Sequence, residues 1–264
     1  MTCFCPLASG SKGNALYVAS DQTKLLIDAG LSFKQLKQRL EAIDVDIGEI
    51  DGVVITHEHS DHIKGVEVLA KTLSIPVIAN HETAKAMAQS MTQLPKFKIF
   101  STGENFYFGN IEFHPFSISH DTADPVGFTL TIGERKIGVC ADIGVVTSLV
   151  KMRLSLCDLL YIESNHEPQM VHASSRPLVY KQRVLGREGH LSNDHCAYLL
   201  QEIVHSKLEH VFLAHLSQEC NLPELALEKA RKALENFSTQ IPISIAYQDH
   251  VSEKVFLTSE VYRG

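Results

Sequence analysis

The sequence predicts an α/β protein built as a four-layer α/β/β/α sandwich, two mixed β-sheets flanked by helices with a site at one edge. Short β-rich runs alternate with helical patterns from end to end, and two strand-rich halves are each accompanied by amphipathic helices. No low-complexity stretch or Pro/Gly/Ser linker divides the chain, so residues 1–264 read as a single domain.

Ala15–Val18 and Lys24–Ile27 read as strands joined by a polar turn at Ser20–Gln22, a hairpin signature. Ser32 then precedes Phe33, Leu36, Leu40 and Ile43 at helical spacing, with Gln35 three residues after the serine as a capping box requires. Val53–Thr56 is an uninterrupted buried-type strand, and Ser60–Leu73 resumes helical spacing through Ile63, Val66 and Leu69. A strand at Val77–Ala79, a helix over 82–91 and a β-rich stretch over 98–140 follow. Beyond them the pattern predicts a strand at Leu159–Ile162, a helix over 193–206, a strand at Val211–Leu213 and a helix over 223–237. Strands at Ile243–Ala246 and Val255–Leu257 complete the series.

Composition narrows the class. At 44% hydrophobic and 21% charged over 264 residues, the chain is neither disordered nor fibrous. It lacks the roughly 18 uninterrupted apolar residues of a membrane span and opens without a basic start and long apolar run, so it is expected in the cytoplasm with no membrane partner. Six scattered cysteines without CxxC pairs read as buried thiols. Lys+Arg 24 against Asp+Glu 31 gives −7, which argues against coating a polyanion non-specifically and leaves room for a local basic groove. Fourteen histidines are the excess that points to chemistry.

His57-Glu58-His59-Ser60-Asp61-His62 directly follows a strand and opens a helix. His57 and His59, two apart, project the same way, while Asp61 and His62 reach a second point from the first helical turn. Neutral imidazoles with a hard carboxylate suit zinc, manganese or iron, and one short loop feeding two cations is what a bimetallic hydrolase needs.

This HxHxDH pattern resembles the signature of the metallo-β-lactamase superfamily, and the resemblance runs along nearly the whole chain. His120 in Ser117–Asp121, Asp142 after the strand Lys136–Ala141, and His215 in Leu213–Ser217 match its later motifs in order. The resemblance implies two divalent ions, zinc or manganese with iron as a further option. His57, His59 and His120 would hold the first, Asp61, His62 and His215 the second, and Asp142 would bridge them. A hydroxide activated between the two ions would be the nucleophile, with Asp61 orienting it. Having His62 directly after Asp61 separates the chain from antibiotic-hydrolysing members, which use a cysteine at the second metal.

Leu7–Asn14, Ser119–Asp121 with Pro125–Phe128, Ile162–His166 and Gly189–Asn193 are similar to the YycJ (WalJ, VicX) subfamily of single-domain members. That likeness implies a metal-dependent 5′→3′ exodeoxyribonuclease, with nucleic acid as its partner, DNA more than RNA. It also implies that His190 protonates the leaving group. The stretch between Asp142 and His215 is too short for the large domain that β-CASP nucleases insert there.

Independently of any resemblance, Arg176, Lys181, Arg183 and Arg187 form a basic segment with no acid between Pro168 and Arg187. They are candidates for phosphate-backbone contacts. The glycine-rich Ser9–Asn14 offers backbone N–H groups to a phosphate, or is simply a tight turn. Two other functions stay open: a dinuclear hydrolase of a small ester, thioester or cyclic phosphate, and a metal-stabilised signalling partner without catalysis. Whether the basic segment faces the metal edge discriminates between nuclease and small-molecule hydrolase. His81, His114, His172, His195, His205, His210 and His250 read as structural or surface residues, and His166 and Glu163 have no assigned role.

Overall fold

A computed structural model describes residues 1–264 except 236, 238, 239 and 259–264. Its strands, in chain order, are β1 (Thr2–Ala8), β2 (Ala15–Ala19), β3 (Lys24–Ile27), β4 (Gly52–Val54), β5 (Val77–Asn80), β6 (Phe97–Phe100), β7 (Phe106–Phe108), β8 (Ile111–Ser117), β9 (Val126–Ile132), β10 (Arg135–Cys140), β11 (Leu159–Glu163), β12 (His210–Ala214), β13 (Ile243–Ile245) and β14 (Val255–Leu257). They form two seven-stranded sheets, ordered β14-β1-β2-β3-β4-β5-β6 and β13-β12-β11-β10-β9-β8-β7. Each is mixed: antiparallel from β14 to β3 and from β7 to β10, parallel across the remainder.

The period-2 pattern explains the layering. Leu25 and Ile27 face the second sheet, where they join Phe113, Phe128, Leu130, Val139 and Phe212 in one buried cluster. Leu26 between them points the other way, into a cluster with Leu36, Leu40 and Leu69 from the outer helices Phe33–Glu41 and Val66–Leu73. On the far side, Cys140, Leu160 and Ile162 pack on Val150, Leu199 and Leu200 from helices Ser148–Leu154 and Asn193–Ile203. Both faces of the central strands of each sheet are therefore buried, which is why those strands read as continuous apolar runs. All six cysteines are free and buried, as expected. Burial pushes the Cys5, Cys157 and Cys196 thiols up to about 12, so they stay protonated and inert.

Most elements fall where the periodicity places them, including the Ser32–Gln35 capping box. The departures have local causes. The sequence reading places no strand before Ala15, whereas β1 runs from Thr2 to Ala8 through Pro6. Proline is tolerated there because β14 pairs only with Thr2–Phe4, leaving no ladder partner that needs a Pro6 N–H, while Ser252 N donates to Pro6 O. The helix expected over Ser60–Leu73 is two, Ser60–Ile63 and Val66–Leu73. At the break, Gly65 N donates to Ala29 O (2.8 Å), and a Cβ on Gly65 would lie 2.1 Å from Leu31 O. That backbone approach decides the break, not a propensity. The basic segment folds as helices Pro168–Ala173 and Leu178–Leu185. The helix expected over 223–237 spans Pro223–Leu234, and position 236 lies outside the described residues. Among the described residues no helix is long and apolar enough to cross a membrane.

Candidate metal centre

Strand ends build the site. Asp28 follows β3, His57 follows β4, His120 follows β8, Asp142 follows β10, Glu163 ends β11 and His215 follows β12; the helix Ser60–Ile63 delivers Asp61 and His62. These carboxyl ends meet at one edge of the sandwich, where loops carry chemistry on a rigid scaffold. Three of the residues turn the chain through the left-handed region: Asp28, Asp142 and His215 have φ of 60°, 54° and 54°. Such strain in side chains other than glycine is held where the surrounding structure demands it, and here it aims each side chain into the edge.

His57, His59 and His120 form one cluster and His57, His62 and Asp142 another, the candidate ligand atoms within each lying no more than 4.8 Å apart. Asp142 stands between the groups: its Oδ2 is 3.0 Å from His62 Nε2, and its Oδ1 is 3.3 Å from His215 Nδ1 and 3.8 Å from His120 Nε2. Asp61 Oδ2 lies 3.7 Å from His62 Nε2 and 3.9 Å from His215 Nε2 at the mouth of the site. All seven expected ligands are thus brought to one place.

The donor set fits a cation. His57 Nδ1 bonds Thr56 Oγ1 (3.0 Å), His62 Nδ1 donates to Asp28 Oδ2 (2.8 Å), His120 Nδ1 to Gly189 O (3.2 Å), and His215 Nδ1 to Glu163 Oε1 (3.0 Å). Each ring is oriented from behind by one nitrogen, which is how metal-binding imidazoles are held, and turns Nε2 inward. The Nε2 atoms of His57, His120 and His215 and Asp142 Oδ2 are buried without hydrogen-bond partners. Four orphaned atoms of ligand type converging on one edge have no packing rationale. Asp142, Glu163, His190 and His215 also cluster, but through Nδ1 atoms already committed to Glu163.

Electrostatics agree. Burial pushes His57 well below the ordinary imidazole range and also lowers His120, which keeps their lone pairs free. Burial acts downward on His62 and His215 too, but Asp28 and Asp142 lift His62 to about 10, and Asp142, Asp61 and Glu163 lift His215. Burial would raise Asp142, yet His215 and His62 outweigh it and hold it well below the usual carboxylate range. An edge that draws positive charge onto buried imidazoles is one a divalent cation also seeks.

His190 sits beside this group with its Nδ1 2.8 Å from Glu163 Oε1 and 3.6 Å from Asp142 Oδ1. Glu163 is completely buried and also accepts from Ile143 N (2.7 Å) and Leu191 N (3.2 Å). Burial would raise its carboxyl, but His190 and His215 hold it at about 2, so it is ionised throughout the working range.

The basic segment divides. Arg183 makes a two-pronged ion pair with Asp121 (2.6 and 3.0 Å), and Asp121 Oδ1 in turn lies 3.6 Å from His59 Nε2. Arg183 and Arg187 line an open cavity of about 490 Å³ with Ser119, Asp121 and Gly189. Arg176 is paired instead with Glu219, and Lys181 Nζ donates to His172 O. The glycine-rich loop is a turn and not an anion cradle: Gly10 N donates to Asn14 Oδ1, Lys12 N to Gln248 Oε1 and Gly13 N to Gly10 O.

Three residues of the site carry no role in the sequence reading. Asp28 orients His62, Glu163 orients His190 and His215, and Asn14 Nδ2 reaches both Asp61 Oδ2 (3.2 Å) and His62 Nε2 (2.9 Å). Asp28 had a signal, a carboxylate directly after a buried strand as His57 is. The stretches Ile162–His166 and Gly189–Asn193 prove to be one bonded unit, through Asn165 N to Leu191 O and Asn193 N to His166 O.

A family model described as a β-lactamase superfamily domain matches residues 23–215. The exodeoxyribonuclease YycJ of Bacillus anthracis is 39% identical over 235 residues, 88% of this chain and 89% of that protein. The exodeoxyribonuclease WalJ of Streptococcus pneumoniae serotype 2 is 35% identical over 224 residues, 83% of each. In fold, the chain is similar to the metallo-β-lactamase fold protein YhfI of Bacillus subtilis, with a TM-score of 0.73 and 16% identity over 96% of this chain and 100% of that one.

Proposed function

The chain belongs to the metallo-β-lactamase superfamily, and from that premise we propose that it is a metal-dependent exodeoxyribonuclease removing nucleotides from the 5′ end of DNA. The observation that carries the reading is the convergence of orphaned imidazole and carboxylate atoms beside a lip bearing Arg183 and Arg187. The exodeoxyribonuclease relatives support the choice of DNA over a small ester.

His57, His59 and His120 would hold one divalent ion, Asp61, His62 and His215 a second, with Asp142 shared; zinc and manganese suit this oxygen and nitrogen set. When bound, such ions neutralise phosphate charge and bring the pKa of water from 15.7 to about 7. The protein's own groups do the rest. Asp61, fixed by Asn14, orients the attacking water at the mouth of the site. His190 donates its Nε2 proton to the departing O3′ of the terminal nucleotide as the P–O3′ bond breaks, leaving a 5′-phosphate on the shortened strand. Glu163 supports that role by accepting from Nδ1, so that the doubly protonated ring, the form that can act as an acid, carries its transferable proton on Nε2. Arg183 and Arg187 contact backbone phosphates.

The test is digestion of end-labelled duplexes and single strands bearing 5′-phosphate or 5′-hydroxyl ends, with Mn²⁺, Mg²⁺ or Zn²⁺. Stepwise release of mononucleotides from the 5′ end is expected. Intact strands under every metal, with small esters readily cleaved, would overturn the reading.

A further inference from the structure

The loop after His215 and the segment after β13 enclose a second cavity of about 250 Å³, lined among others by Ser9, Leu222, Ala246, Tyr247, Gln248 and Asp249. It adjoins the metal centre through one residue. Ser9 Oγ accepts from His215 N (2.7 Å) and bonds Tyr161 OH (2.7 Å), so the cavity wall and a candidate ligand share a support.

The cavity is preformed. Asn221, in its wall, is buried with its amide donating to Ser164 O and Asn165 O, while its Oδ1 accepts from Leu222 N. Gln248 is clamped between Lys12 N (2.7 Å) and Gly13 O (3.0 Å). Gly10 is required to make room for it, since a Cβ there would lie 2.6 Å from Gln248 Oε1. This explains a glycine of the Ser9–Asn14 stretch that the reaction itself does not use. Set in this rigid frame are two exposed apolar side chains, Leu222 at 50% and Tyr247 at 37%, the tyrosine ring stacked on His250 with centroids 4.1 Å apart.

Charge and size select the occupant. The lining carries one carboxylate, Asp249, and no cation, which disfavours a phosphate. The volume is below that of a drug-sized site and suits one planar ring system. Phosphate-binding cations flank the His59 and His120 end of the centre, whereas this cavity flanks the His215 end. A strand whose phosphate lies at the centre then presents an uncharged, flat neighbour to the cavity. We propose that this cavity is a nucleobase subsite in which one base of the bound strand stacks on Tyr247, an inference that rests on the nuclease reading. Stacking on one aromatic side chain tolerates any base, so the subsite would contribute grip without sequence preference.

The experiment uses metal-loaded protein and labelled single strands with hydrolysis-resistant phosphorothioate links, in which one position at a time is made abasic. For the parent, one position should lose affinity by about 5- to 100-fold when its base is missing, the range expected of a single stacking contact. In Tyr247→Ala the intact strand should bind weaker by a similar factor and the abasic penalty should vanish, while Tyr247→Phe restores it. Leu222→Ser, altered at another residue of the lining, should show the same position-specific loss in a second background. The proposal falls if no position stands out in the parent or if the penalty survives in Tyr247→Ala. Should the parent bind no strand at all, the nuclease reading falls with it; resistant strands bound with every position equivalent, while unmodified strands are shortened, would remove the subsite alone.

Discussion

His190 is anchored to Glu163: Nδ1 lies 2.8 Å from Oε1 of a carboxylate that is wholly buried and also receives two backbone N–H groups. Replacing Glu163 with Gln keeps the shape but turns an acceptor into a donor facing other donors. An unpaired buried group costs about 1–3 kcal/mol, which thermal unfolding should register. Turnover should fall by about 10² to 10⁴, the contribution of a positioned general acid, because the ring loses its orientation. His190→Ala should show the kinetic loss without a loss of metal. Unchanged turnover in both variants would remove His190 from the reaction.

Asp142 touches both halves of the centre, with His62 of one set 3.0 Å from Oδ2 and His120 of the other 3.8 Å from Oδ1. Elemental analysis of carefully prepared protein should find two ions per chain. Asp142→Ala should lose both, while His120→Ala should lose mainly one. Equal losses in the two variants would argue against a shared carboxylate.

Arg183 and Arg187 should dominate the salt dependence of DNA binding. Removing each should lower the slope of log K against log[salt] by roughly 0.9 on duplex, or about 0.7 on a single strand. Arg176→Ala and Lys181→Ala should change it little, since neither lines the cavity beside the centre that Arg183 and Arg187 border. Equal effects from all four would mean that the segment acts only through its net charge.

The pH dependence of the metal-free chain should include His166. Burial pushes its imidazole down to about 4, and its Nδ1 has no hydrogen-bond partner. The folded pKa is depressed below an unfolded value near 6.5, so this contribution is complete above about 6.5 and is lost as pH falls toward 4. His166→Gln, which cannot titrate, should therefore gain roughly 1–3 kcal/mol relative to the parent between pH 7.5 and 4.5 in urea unfolding. A constant difference across that window would show that His166 titrates normally.

Gly30→Ala should dismantle the site from outside it. A Cβ at position 30 would lie 1.6 Å from Asp61 O, and Gly30 N and Asp61 O both bond the backbone of Asn14. The expected outcome is loss of metal and a melting temperature lowered by several degrees, since backbone cannot yield as a side chain does. Retained metal would show that the HEHSDH loop can shift without cost.

The series His57–His62 and the strands and helices around it were legible without coordinates, because both depend on spacing within a few residues. Lys24–Ile27 was legible as a strand, and the resemblance to the metallo-β-lactamase superfamily supplied the expected ligands, whose side chains the fold brings to one edge. Partnership across the chain was not legible. Asp28 meets His62 and Glu163 meets His190 because sheet order brings the carboxyl ends of β3, β4, β10, β11 and β12 to one edge, and nothing in local spacing encodes which ends become neighbours. The same is true of the basic segment, whose four cations look equivalent in sequence until Glu219, His172 O and Asp121 separate them. Pro6 within a strand and the break at Gly65 are likewise decided by what lies across from them, a missing ladder partner in one case and the Ala29–Leu31 backbone in the other. Residue type and spacing set the chemistry available to the edge; the tertiary structure decided which nitrogen of each imidazole is held from behind and which is left facing inward.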